Sequence, residues 1–482
     1  MQQVLNGIAY RQLGTGNPDI TALACDTADV VPGCLFFCLS GSKNDGHDFF
    51  RKAIGDGAAA VVCERPLDTQ AVQFVVEDSR AAMSLAARNF YGRAADKLQL
   101  VFVCGTNGKT SVTYLLDAIF SRAGYRTGVI GTNGVYFGGR KHACNLTTPD
   151  PIEMHKWLWQ MYLNKVQIVF AEASAHAIAL RKLLGMHADV AVFTNFSQDH
   201  LDYFKTMDNY KAVKKSLFCP QYVTNAVVNI DDEVGREIVS EFSPVLTVST
   251  EQTADVRAEN IVLRTGGSTF TVDACGSKAV FDTQLAGKFN VYNILSAVGV
   301  ATVYGIDIAT CAAAIDGVTC IDGRNQTVVT DDGVRIVVDF AHTPDGLDNI
   351  LFHLRQTTEG KLIVVFGCGG NREKEKRSVM GEISGVIADF TIITSDNPRY
   401  EDPCLIISEI EKGIRRVTRN YVTVSDRKSA LVYAISLLKD GDVLVVAGKG
   451  AESYQEIMGV KRDFSDEAEI RSAIARIEGE NS

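Results

Sequence analysis

No two of the twelve cysteines stand in a C-x-x-C pair, and they lie scattered from Cys25 to Cys404. That spacing suits neither a secreted disulfide framework nor a zinc ribbon, and it points to a reducing cytoplasm. Also missing is any apolar run of the roughly 18 residues that a membrane-spanning helix needs. The opening Met-Gln-Gln-Val-Leu-Asn-Gly-Ile has neither the basic flank nor the apolar stretch of a signal peptide. Positive charge is short as well. With 48 Lys and Arg against 58 Asp and Glu, the net charge is −10, so no general basic field would hold nucleic acid. Without repeats or low-complexity tracts, the expectation is an acidic, cytoplasmic monomer whose partners are small molecules, with no nucleic acid and no membrane among them.

What is present is ordinary globular composition, 46% apolar and 22% charged, which excludes a disordered, collagenous or coiled-coil chain. At roughly 150 residues per domain the length implies about three domains, too much chain for one core. The apolar runs Cys34–Cys38 and Ala58–Cys63 read as buried strands, separated by a polar loop at 41–47 and a helix-like stretch at 49–57. With helical spacing over Ser79–Tyr91 and a polar linker at Gly92–Lys97, they predict a small α/β domain over 1–96. From 97 to 327, strands Leu98–Cys104, Val166–Ala171 and Val190–Thr194 alternate with helical segments, the signature of a parallel sheet. Weakly patterned, strand-like sequence follows at 226–280, then a helix from about Val291. From 328 to 482 the strands Ile336–Phe340, Leu362–Phe366, Phe390–Thr394 and Val443–Val446 form a second alternating set.

Gly105-Thr106-Asn107-Gly108-Lys109-Thr110-Ser111 sits between a predicted strand and a predicted helix, where backbone N–H groups and the helix N-terminus can cradle phosphate oxygens. Lys109 would bring a point charge to the β- and γ-phosphates and Thr110 a hydroxyl ligand for Mg²⁺. Val103, not glycine, stands five residues before Gly108, so the loop is a variant of the usual pattern. The string Gly-Thr-Asn-Gly-Lys-Thr resembles the nucleotide loop of the Mur ligases and their folylpolyglutamate synthetase relatives, which form amide bonds at the expense of ATP. The resemblance implies an α/β fold of three domains: a small N-terminal α/β domain for UDP, a central P-loop-type ATPase with a parallel-rich sheet, and a C-terminal Rossmann-like domain for an amino acid.

Glu172 and the segment Asn195–Asp202, with His200, stand at the ends of two predicted strands. Carboxylate and imidazole groups there can reach one Mg²⁺–nucleotide site. Tyr210–Phe218 is similar to the family segment whose lysine is carbamylated by CO₂, a reaction that needs an amine kept neutral by burial. The resemblance selects Lys214 over its neighbour Lys215. It implies Lys109, Glu172, His200 and Lys214 as catalytic residues, and Thr110, Glu172, His200 and the Lys214 carbamate as metal ligands. Shorter matches imply further ATP contacts at Asn293, Arg324, Asp339, His342 and Arg427.

Asp396-Asn397-Pro398-Arg399 follows a predicted strand, at the crevice edge of a parallel sheet. It resembles the specificity motif of the Mur ligases that add meso-diaminopimelate to UDP-N-acetylmuramoyl-L-alanyl-D-glutamate in peptidoglycan precursor synthesis. Diaminopimelate differs from lysine by one carboxylate, which a guanidinium can grip through two parallel hydrogen bonds, contributing about 1.5–3 kcal/mol. Lysine would leave Arg399 desolvated and unpaired. The same resemblance places Arg377, Gly448 and Glu452 on this amino acid, with the Glu452 carboxylate toward its distal ammonium.

Thr27, Thr147, Thr148, Ser174 and Lys182 fall on the family's UDP-muramoyl-dipeptide positions. Departures from the family gather here: Ala28 stands in place of an arginine, Ala175 of a serine, Leu180 of a glutamine and Lys182 of an arginine. Elsewhere Gln326 replaces a glutamate and Asn371 an aspartate. Beside diaminopimelate addition, three readings stay open: the same ligation with L-lysine, a folylpolyglutamate synthetase-like ligase, and a non-catalytic nucleotide-binding paralogue.

Overall fold

A strand that is apolar at every position must be covered on both faces, which in α/β proteins means helices on either side of a parallel sheet. Leu100–Cys104, within the strand Gln99–Cys104, is such a run: Val101 and Val103 enter one core, while Leu100, Phe102 and Cys104 enter the opposite one. The computed structural model describes residues 1–41, 44–329 and 334–480. Residues 42–43 of the polar loop, and 330–333 and 481–482 of the third alternating set, lie outside the described residues.

The first sheet has five strands in the order Arg11–Leu13, Val72–Val75, Ala60–Cys63, Cys34–Phe37, Ala22–Ala24, parallel except for the first. The stretch expected to be a linker folds instead into a short 3-10 turn, Ala94–Lys97. Ala94 and Ala95 are small enough to be buried beneath the next sheet.

Eleven strands form the central sheet. Gln99–Cys104 lies between Ile168–Glu172 and Ala188–Phe193, parallel to both. All three end at one edge, so the loops that leave them are neighbours. The weakly patterned segment supplies two more parallel strands, Val223–Asn229 and Val245–Ser249, and an antiparallel meander, Val256–Arg264, Gly267–Ala274 and Ser277–Thr283. One face of the meander is covered and the other is not, hence the diluted apolar pattern.

The third sheet runs Gln326–Val329, Arg335–Asp339, Val443–Ala447, Leu362–Phe366, Phe390–Ile393, Tyr421–Thr423, again parallel apart from the first strand. Its inner strands deliver the loops that begin at 340, 367, 394 and 448. Beyond it come two elements absent from the sequence expectations: a hairpin, Tyr454–Ile457 with Val460–Asp463, and a helix, Asp466–Glu480. Met458 and Gly459 make the hairpin turn with φ of +51° and +75°, positive values that match the strand twist. Among the described residues no helix is long and apolar enough to cross a membrane.

Candidate active site

The phosphate loop is shaped by its glycines. Gly105 and Gly108 have φ of +147° and +87°, and a Cβ would drive the first into the Thr194 hydroxyl and the second into the Asn293 carboxamide. Lys109 opens the helix Lys109–Arg122, whose first N–H groups have no partner within the helix. Its Nζ donates to the carbonyls of Gly105 at 3.0 Å and Thr106 at 2.8 Å. Burial, with Lys214 nearby, lowers its pKa.

Glu172 reaches the loop from the neighbouring strand. Its Oε1 accepts from Thr110 Oγ1 at 2.9 Å and from the Thr132 N–H at 2.8 Å. Thr110 Oγ1 in turn accepts from Arg324 Nη2 at 2.9 Å. This hydroxyl and carboxylate are the hard oxygen donors that Mg²⁺ takes. Among the described residues no three His, Cys, Asp or Glu side chains form a metal cage by themselves, so an ion here would complete its shell with nucleotide oxygens and water. His200 lies on the third adjacent loop, its Nε2 3.3 Å from Asp199 Oδ2. Burial pushes its pKa down to about 3, which keeps the imidazole neutral. Lys214 is 1% exposed; the Tyr210 ring lies 4.7 Å from its Nζ, which makes no hydrogen bond or ion pair among the described residues. Burial lowers its pKa, as an amine that takes up CO₂ requires.

The third domain closes over these groups. Asp345 Oδ2 accepts from Asn107 Nδ2 at 2.5 Å and Ser197 Oγ at 3.2 Å; Glu373 Oε1 accepts from Gln198 Nε2 at 2.5 Å. Burial alone would raise the Asp199 carboxyl, but His200, Lys376 and His342 hold it below the usual range. The cleft so formed has a volume of about 1080 Å³ and is lined by Thr106–Ser111, Thr147, Glu172, Ser174, His200, Asn293, Arg324, Asp339 and His342 on the nucleotide side. Asp339 accepts from the N–H groups of Asn325 at 2.6 Å and Ala341 at 2.7 Å, so it also ties the 325 turn to the loop that leaves its own strand. His342 Nδ1 faces the Phe340 carbonyl at 2.9 Å, and burial lowers its pKa to about 4.

Asp396, Asn397, Arg399, Gly448 and Glu452 line the other end. Lys449, fully buried, ties them together: its Nζ donates to Glu452 Oε2 at 2.9 Å and Asn397 Oδ1 at 3.2 Å. Asp396 Oδ2 is buried without a hydrogen-bond partner among the described residues. Pro398 is buried beside Arg399 and does not line the cleft.

Two of the expected contacts lie outside the cleft. Arg377 does not reach the cleft: it is fully buried, held by Glu401 Oε2 at 2.9 Å and Glu409 Oε2 at 2.7 Å. Arg372, five residues earlier, lines the cleft instead, partnered by no carboxylate at bonding distance among the described residues. Arg427 is likewise withdrawn, its guanidinium paired with Asp466 at 2.7 Å and donating to the Ala447 carbonyl at 3.0 Å. It clamps the last helix to the third sheet. Both arginines were legible as cations, but the acids that pair with them are 24 to 39 residues away in the chain.

Thr148 is a strut, donating to the Glu172 carbonyl at 2.7 Å and accepting from the Ser174 N–H at 3.1 Å. Lys182 pairs with Asp150 at 2.9 Å. Thr27 lies in a short turn of the first domain, away from this cleft.

A phosphate loop at the edge of one parallel sheet, facing a charged pocket at the edge of another, defines an enzyme that brings a second substrate to a nucleotide. Residues 19–91 match the model of the Mur ligase family catalytic domain, 103–301 the Mur ligase middle domain, and 323–450 the Mur ligase glutamate ligase domain. A UDP-N-acetylmuramoyl-L-alanyl-D-glutamate–2,6-diaminopimelate ligase of Geobacillus thermodenitrificans is 40% identical over 470 residues, covering 95% of this chain and 96% of its own. The ligase of that name from Clostridium botulinum is 37% identical and covers 97% of both chains. A solved structure of a ligase with this name superposes with a TM-score of 0.66 at 31% identity over 95% of both chains. The chain therefore belongs to the Mur ligase family.

Proposed function

We propose that the protein is an ADP-forming ligase that joins an amino group of meso-diaminopimelate to a carboxylate of UDP-N-acetylmuramoyl-L-alanyl-D-glutamate. The observation that carries this reading is one cleft with the phosphate loop at one end and Arg399, Asn397 and Glu452 at the other. Residues 1–96 would hold the uridine diphosphate, 97–327 the ATP and 328–482 the amino acid. The glutamyl carboxylate attacks the γ-phosphorus, and the bond to ADP breaks. The amine then attacks the acyl phosphate carbon, the C–O bond to phosphate breaks, and the nitrogen loses a proton.

Lys109 and Arg324 offset charge on the phosphates, and the loop's N–H groups orient them. Mg²⁺, when bound, supplies Lewis-acid stabilisation of the transferring phosphoryl group; Thr110 and Glu172 would hold it, with His200 and a Lys214 carbamate offering a second position. Arg372 takes the part expected of Arg377, since its side chain, unlike that of Arg377, lines the cleft together with Arg399. L-lysine is the competing donor, because Arg399 already has a carboxylate beside it in Glu456. A folylpolyglutamate synthetase reading fits less well: such a synthase from Mycobacterium tuberculosis, 17% identical with a TM-score of 0.62, covers 76% of this chain. ADP release should need ATP, UDP-muramoyl-dipeptide and diaminopimelate together. Release driven instead by a folate with glutamate, or with no acceptor at all, would refute the assignment.

A further inference from the structure

Arg399 is not a bare cation. Its Nε stands 3.3 Å from Glu456 Oε2, the side chains being 20% and 21% exposed. Its Nη1 donates to the Gly370 carbonyl at 2.8 Å. Main-chain pairing delivers both members of this ion pair. The Arg399 N–H donates to the Glu456 carbonyl at 3.0 Å, and the Met458 N–H donates to the Arg399 carbonyl at 2.7 Å. The Glu456 N–H donates to Asn397 Oδ1 at 2.9 Å. The 454–463 hairpin is thus zipped along the 397–399 segment, with Arg399 held at a left-handed φ of +52°. Two flexible side chains meeting on a surface would have little consequence; here the backbone register fixes the carboxylate at the guanidinium.

Resting on the reading of this pocket as the amino-acid site, we infer that Glu456 is a specificity-determining residue that relaxes the demand for a second carboxylate on the incoming amino acid. Three effects act in the same direction. Glu456 stands 3.3 Å from the Nε edge that a side-on bidentate grip would use. Its charge opposes the approach of a distal carboxylate at short range. It also keeps Arg399 paired when the substrate has no such group, which removes the penalty that an unpaired guanidinium would impose on lysine. Discrimination between the two amino acids is therefore smaller than Arg399 alone would give.

The test compares the full-length protein with Glu456→Gln and Glu456→Ala, measuring kcat/KM for meso-diaminopimelate and for L-lysine at saturating ATP and UDP-muramoyl-dipeptide. Both variants should raise the diaminopimelate-to-lysine ratio by about tenfold, mainly through the two amino-acid KM values. The KM for ATP should stay where it is, which separates a specificity effect from general damage to the fold. Glu456→Asp, whose shorter carboxylate keeps the charge, should fall between. A ratio that is unchanged or lower in both variants overturns the inference while the proposed function stands. A wild-type protein that turns over neither amino acid removes the proposed function, and the inference with it.

Discussion

Lys109 and Arg399 stand at opposite ends of the cleft and should fail in different ways. Lys109→Ala removes a charge aimed at the transferring phosphoryl group, so kcat should fall by about 10²–10³, read as ADP release with all substrates saturating. Arg399→Ala should instead raise the KM for diaminopimelate by about 10- to 150-fold, the worth of a charge-assisted hydrogen bond, and leave the KM for ATP alone. Arg377→Ala distinguishes the structure from the sequence expectation. Arg377 is buried between Glu401 and Glu409, so its loss should lower the urea midpoint rather than act first on the amino-acid KM.

These residues also mark where sequence reading ran out. Asp396–Arg399 could be placed because a short motif after an apolar strand falls at a crevice edge. Glu456, Arg372 and Asp345 could not, since each matters through a partner brought near by the fold: Arg399, the open pocket and Asn107.

Among elements, the apolar strands and the phosphate-loop helix were plain in the sequence because both faces of each strand are buried and the glycines are sterically required. The 454–463 hairpin escaped because Met458-Gly459 is not a dipeptide that announces a two-residue turn. The closing helix, Asp466–Glu480, is anchored by the fully buried Arg427–Asp466 pair. Arg427→Met should leave Asp466 charged without a partner and cost roughly 3–5 kcal/mol, measured by urea unfolding. A protein of unchanged stability whose KM for ATP rises would restore Arg427 to the nucleotide.

The helix Pro151–Leu163 carries His155, 1% exposed, with no hydrogen-bond partner for either ring nitrogen among the described residues. Burial, and then Arg88, lower its pKa to about 3. Above the unfolded value of about 6.5 the ring is neutral in both states and pH has no effect through it. Below that the unfolded chain takes the proton first, so this group costs up to about 1.4 kcal/mol per pH unit down to the folded pKa. His155→Leu should flatten the fall in stability between pH 7 and pH 5 by about that slope. An equally steep fall in the variant would exclude His155 as its source.

For the whole molecule, a net charge of −10 says little about ligands that are themselves anionic. The positive charge that meets them is local: Lys109, Arg324, Arg372, Lys376 and Arg399 converge on one cleft from two sheets. Three domains could be anticipated from length and alternating pattern. Their closed arrangement could not, because it rests on Asp345, Glu373 and Lys376 meeting the central domain across the cleft. The central claim is that this cleft makes one particular amide bond, and the most direct measurement is the mass of the product formed from ATP, UDP-muramoyl-dipeptide and an equimolar mixture of meso-diaminopimelate and L-lysine. The expected product is a nucleotide-sugar enlarged mainly by one diaminopimelate residue, with one ADP released for each. A product carrying only lysine, or ADP release with no enlarged product, would contradict it.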